Sequence, residues 1–355
     1  MPFSSYDTIF KTTCQNDGIV YYDRNKSELP LSDIYRRKVI MGKKKHPYLK
    51  ANHKKTKKPP ISWRIAGREE GIRRLLDHKS YYEHFSQNDL NFRLQKKGAS
   101  LREWTSFACD QVSAFSKEEG RIVNWAMRLI LRICKICLYR LPGTEPIVFI
   151  KTSMEEECLA AAYTHGTEIY LGQELLNTGL TPEDDCKEHF LWTVAHELFH
   201  CFTRQNPDFR RDMYKIIHFS IMDHEITFSR EVLDRIIRNP DVERHDSYAE
   251  FILQGKAIKC APVFTTVKPF EKPGDNFMTS MKAGLVPVEN PSRIYALEES
   301  SNYKEIFGEN TEYYVDPEEV LADNFAYALI LGPEGYEYQT PEIIESILSY
   351  LSDGK

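Results

Sequence analysis

The stretch "LWTVAHELFH", residues 191–200, sets two histidines four positions apart, with a glutamate directly after the first, in a largely apolar run. On a helix, positions i and i+4 lie one turn apart and about 40° apart in azimuth, so His196 and His200 can each direct a ring nitrogen at one metal ion. Glu197 stands about 100° further round, outside that ligand pair yet near enough to hold a metal-bound water as general base. The competing reading is a core helix with hydrogen-bonded histidines. Leu191, Trp192, Val194, Ala195, Leu198 and Phe199 offer almost no polar partners within the helix, and buried polar groups without partners are costly. The metal reading is therefore preferred, with one tetrahedral zinc ion (Zn2+) as the cofactor.

Catalytic zinc keeps three protein ligands and an open position, so a third ligand is required. The pattern HExxHxxGxxH is excluded, because Thr203 and Asn206 stand where it needs Gly and His. In "PEEVLADNFA", Glu319 and Asp323 are an i, i+4 acidic pair on an expected helix. Glu319 can ligate zinc while Asp323 hydrogen-bonds the far nitrogen of a ligating histidine. Glu318, His218, His224, His245 and Asp316 are alternatives for the third ligand, and a solvated acidic face is the bland reading of Glu319 and Asp323. Tyr248, His245, Tyr313 and Tyr314 are the candidate donors to a developing oxyanion.

"HELFH" followed at a distance by "EVLAD" resembles the gluzincin group of zinc metallopeptidases, whose pattern is HExxH and then a glutamate ligand in an ExxxD context on a second helix. The order of a strand ("IVFI", 147–150), an edge hairpin ("AAAYTHGTEIYLG", 160–172), the motif helix and a later helix is similar too, over about residues 145–335. The resemblance implies a zincin-like catalytic domain and peptide-bond hydrolysis of a protein or peptide substrate. Zinc would polarise the scissile carbonyl, and Glu197 would carry a proton from water to the leaving amine. It further implies a substrate lying extended along the edge strand, taken as residues 168–171. The chain departs from the compact members in its long spacing between His200 and Glu319.

Outward from the motif, the sequence reads as an α+β protein in three regions: a basic, flexible arm over 1–65, a helical region over 66–144 and the zincin-like domain over 145–355. Ser100 with Glu103, and Ser116 with Glu119, have capping-box spacing at two helix starts. Ile122, Trp125, Ala126, Leu129, Ile133, Ile136 and Cys137 then share one helical face. Thr181 and Pro182 have the form of a cap and first turn for the motif helix. Residues 205–310 predict long irregular connections, and "PEEVLADNFAYALIL" and "TPEIIESILSYL" predict a closing helical pair.

Net charge is −5 among 355 residues, but the distribution is uneven: between Arg36 and Arg64 there are twelve Lys or Arg and no Asp or Glu. That tract suits a solvated tail, a nucleic-acid or nuclear-import contact, or a tether to an acidic membrane or partner. The first twenty residues lack a classical secretory signal, so the expectation is a cytoplasmic protein, or one exported by a specialised system into another cell as bacterial effector proteases are. The apolar run 125–141 contains Arg128, Arg132, Lys135 and Arg140, which argues against a membrane span. Eight dispersed cysteines suggest free thiols, with Cys134, Cys137 and Cys201 as packing residues. The alternative function is a non-catalytic, zinc-stabilised module that binds nucleic acid or acidic partners through residues 36–64.

Overall fold

The computed structural model describes residues 61–275 and 280–353; the basic tract up to residue 60 lies outside them. Trp63–Ile65 (β1) pairs in parallel with Ile147–Thr152 (β2), a run buried at every position. Ala162–His165 (β3) and Glu168–Gly172 (β4) form a hairpin whose turn uses Gly166 at φ +55°, a left-handed conformation that favours glycine. Since β4 also pairs in parallel with β2, the sheet order is β1-β2-β4-β3. Two expectations change here. Residues 61–65 belong to the folded body and not to a flexible arm, and residues 168–171 are an interior strand, which leaves β3 as the edge.

Around this sheet run helices Arg68–Asp77 (α1), Gln87–Leu94 (α2), Leu101–Gln111 (α3) and Lys117–Cys137 (α4). Both capping boxes form: Ser100 caps α3 with Glu103, and Ser116 caps α4 with Glu119. Glu119 does more than cap, because its carboxylate also takes the buried ammonium of Lys151 on β2 at 2.8 Å, tying α4 to the sheet. After β4 come Gln173–Leu180 (α5), Asp184–Gln205 (α6) and Pro207–Ile216 (α7). The motif helix α6 starts two residues later than expected, with Glu183 at its N-cap; the Thr181 hydroxyl is spent on Asn177 O at the end of α5.

Residues 205–310 do contain irregular connections, as at 222–229 and 237–246, but they also carry a second sheet. Ser220–Ile221 (β5), Ser247–Leu253 (β6), Lys256–Thr266 (β7), Met281–Pro287 (β8) and Tyr295–Ala296 (β9) make a five-stranded antiparallel sheet in sequence order. The β6–β7 hairpin turns through Gln254 and Gly255, both at positive φ (51° and 76°), the two-residue geometry matched to strand twist. Pro317–Ile330 (α8) and Pro341–Asp353 (α9) close the chain. No helix among the described residues is long and apolar enough to cross a membrane.

Among the described residues the main core runs from Ile61 to Leu351. It takes Val123, Met127 and Ile130 from α4, Phe149 and Ile169 from the sheet, Phe199 from α6 and Phe325 from α8, so the region 66–144 shares its interior with the region after 145. Every residue of α8 is buried, which removes a solvated acidic face as an account of Glu319 and Asp323. Phe325 meets Phe199, Phe202 and Phe209 at ring-centroid distances of 5.4, 6.0 and 6.5 Å. Phe325→Ala should therefore destabilise the fold by about 3–5 kcal/mol, read as a lowered urea midpoint.

Candidate metal centre

Helix α6 is buried continuously from Val194 to Thr203, and His196 and His200 lie on its face toward α8. The two imidazoles, with ring planes 76° apart, each present Nδ1 to a carboxylate. Nδ1 of His196 is 2.9 Å from Asp323 Oδ1, and Nδ1 of His200 is 3.2 Å from Glu318 Oε1. A carboxylate at Nδ1 fixes the ring and its tautomer and leaves Nε2 available to a metal. Nε2 of His196 is 3.1 Å from Glu319 Oε2, and Nε2 of His200 is 3.8 Å from the same oxygen. Donor atoms of a tetrahedral site with bonds near 2 Å are about 3.3 Å apart, so these three side chains lie close to the spacing that one ion requires.

A second observation is independent of that spacing. His200 Nε2 is fully buried and has no hydrogen-bond partner, an arrangement that native proteins rarely tolerate without a ligand. Around it stand three buried carboxylates, Glu197, Asp241 and Glu319, and Asp241 Oδ1 is 3.9 Å from this same nitrogen. Arg204, about 4.0 Å from Asp241, is the cation nearest to it among the ion pairs of the described residues. Burial, reinforced by the Asp241 carboxylate, pushes the Glu197 carboxyl up to about 7; burial and then Glu319 push Asp241 well above the usual carboxylate range. Carboxylates crowded in this way call for a cation, and His196, His200 and Glu319, or Glu197, His200 and Asp241, can hold one.

The structure thus brings His196, Glu197, His200, Glu319 and Asp323 together. Glu318, an alternative ligand from the sequence pattern, instead braces His200. Its carboxylate also accepts from the hydroxyls of Thr203 and Tyr214, so it faces away from the two Nε2 atoms. Asp316 is the N-cap of α8 and accepts from Glu318 N. His218 lines a cleft of about 450 Å³ with Tyr248 and Lys259, a cleft that shares no lining residue with the histidine cluster. His224 is exposed beside Asp223. His245 packs its ring on Phe228 at 5.3 Å, and Tyr314 packs on Tyr303 and Phe307. Of the four oxyanion-donor candidates, Tyr313 has its backbone tied to the centre: Thr311 Oγ1 accepts from Tyr313 N and donates to Asp323 Oδ2.

Besides Asp241, two further participants have no sequence signal. Thr164, on the edge strand β3, donates its hydroxyl to Glu197 Oε2 at 2.7 Å and its backbone N–H to Asp241 at 2.7 Å. Asn239 donates to Glu319 Oε1. In the sequence Asn239 is half of a turn-forming "NP" pair and Thr164 part of a hairpin, and neither residue falls in a ligand pattern.

Two predictions follow from these placements. Asp323→Asn and Glu318→Gln, measured by competition with a metal chelator, should each weaken metal binding about 10- to 100-fold. Burial, with Arg238 nearby, pushes the His245 pKa down to about 3. Below its unfolded-state pKa of about 6.5 the unfolded chain binds a proton that the native chain refuses, so stability falls as pH drops from about 6.5 toward 3. This one group should contribute roughly 1 kcal/mol per pH unit, and His245→Gln should flatten the acid limb of the urea-midpoint profile by that amount. No family model, curated protein or solved structure matches this chain.

Proposed function

We propose that the chain is a zinc-dependent endopeptidase of the gluzincin type, built on a zincin-like arrangement of edge strand β3, motif helix α6 and ligand helix α8. The observation that carries the reading is the convergence of His196 Nε2, His200 Nε2 and Glu319 while carboxylates hold both Nδ1 atoms. Two imidazoles and one carboxylate are a donor set suited to zinc, which when bound would polarise a peptide carbonyl and acidify a water molecule.

The chain's own residues then supply positioning and proton transfer. Glu197, held at Oε2 by the Thr164 hydroxyl, accepts a proton from the attacking water. Water oxygen bonds to the carbonyl carbon, the C–N bond breaks, and the proton on Glu197 passes to the departing amine nitrogen. Thr164 sits on the sheet edge, so the strand that braces the base is also the strand beside which an extended substrate would run. Asp323 and Glu318 keep each ligating ring in one orientation throughout.

One observation favours a second reading. Asp241 places a further carboxylate 3.9 Å from His200 Nε2 that could serve as a fourth ligand, and a closed four-ligand set is typical of structural zinc, as in a non-catalytic binding module. The two readings separate in Glu197→Gln. Zinc per chain is measured alongside cleavage of a proteome-derived peptide library during prolonged digestion. The peptidase reading expects full zinc and about 10²- to 10⁴-fold less cleavage in the variant. Equal cleavage by both chains rejects Glu197 as the base, and zinc without turnover in either favours the structural module.

A further inference from the structure

The segment Arg238–Glu243 belongs to no regular element, yet it is held from several sides. Arg238 N donates to Asp89 Oδ2, and Arg238 O accepts from Arg93 Nη2 at 2.7 Å and Tyr81 Oη at 3.3 Å. Pro240 O accepts from Arg204 at 3.1 Å. Asn239 reaches Glu319, the Asp241 carboxylate takes the N–H of Thr164, and the Glu243 carboxylate takes the N–H of Gly166 at 3.1 Å.

Two requirements of a peptidase meet on this segment. An extended substrate needs the free backbone N–H groups of the edge strand, and Thr164 N already has Asp241 as its partner. A catalytic metal needs an open fourth position, and the Asp241 carboxylate, grouped with Glu197 and His200 and not with His196 and Glu319, stands 3.9 Å from the Nε2 of His200 that the two groups share. Asp241 is itself 7% exposed, so solvent does not compete for it. We infer that Arg238–Glu243 is an internal strap lying in the substrate's place, with Asp241 as a fourth metal ligand, and that the described conformation is latent.

The inference rests on the zinc peptidase reading and adds to it a regulated ligand. Asp241 and Glu243 contact the β3 hairpin through side-chain carboxylates, and Pro240 has no N–H to offer, so releasing the strap breaks side-chain contacts without unzipping a ladder between sheet strands. Its upstream anchors, Tyr81, Asp89 and Arg93, come from the segment before the β2 strand, where Arg93 is buried between Asp89 and Glu157. That segment thereby acquires a role: it clamps the strap three residues ahead of Asp241.

The test uses the full chain loaded with cobalt(II) in place of zinc, as wild type and as Asp241→Asn, titrated with acetohydroxamate and followed by visible absorption. A strap closed in at least nine chains of ten raises the apparent dissociation constant about tenfold or more, so the variant should bind acetohydroxamate about tenfold tighter than wild type. A second measurement needs no variant: water-proton ENDOR on the wild-type cobalt chain should show no exchangeable water on the metal. Equal acetohydroxamate affinity with full cobalt in both chains, or a bound water in wild type, overturns the strap and leaves the metal centre standing. Failure of the wild-type chain to hold cobalt overturns the centre and the strap together.

Discussion

The packing of α6 against α8 is the constraint on which the rest depends. It joins imidazoles and carboxylates more than a hundred residues apart, His196 to Asp323 and Glu319, and His200 to Glu318. Three acidic side chains on one wholly buried helix would be untenable alone, since an unpaired ionised carboxylate is very costly away from water. Each is answered. Asp323 has His196 and Thr311, Glu318 has His200, Thr203 and Tyr214, and Glu319 has His196 and Asn239. The aromatic contacts of Phe325 with Phe199 and Phe202 set the helix separation at which those pairs form.

The small mixed sheet is coupled to this helix pair through its edge. Thr164 links β3 to Glu197 by its hydroxyl and to Asp241 by its N–H, so the motif helix, the edge strand and the segment around Asp241 share one residue. The region before β2 contributes in the same physical manner. Its strand β1 completes the sheet, its helix α4 lies in the main core, and its buried Arg93 holds the carbonyl of Arg238. A basic arm followed by a separate helical unit is therefore too modular a description of residues 61–144.

Much of the local structure was legible because it depends on neighbours in sequence. The capping boxes at Ser100 and Ser116, the hairpin around Gly166 and the Pro317 start of α8 are all decided within a few residues. The sheet over 220–296 is faint in the sequence because its longest strand, Lys256–Thr266, mixes lysines with apolar residues and contains Pro262, so it lacks a clean two-residue period. The two-residue turn at Gln254–Gly255 was the available cue.

The sequence by itself determined that His196, Glu197 and His200 share a helix at metal-ligand spacing, and that Glu319 and Asp323 form a matched acidic pair on another, because helical periodicity fixes both relations locally. Only the tertiary structure decided which nitrogen each carboxylate meets, that Glu318 braces a ring instead of joining the ligand set, and that Thr164, Asn239 and Asp241 belong to the centre at all. Those facts depend on where distant segments cross. A threonine in a hairpin and an aspartate after Asn-Pro carry no periodic signal until the chain folds them against the same two histidines.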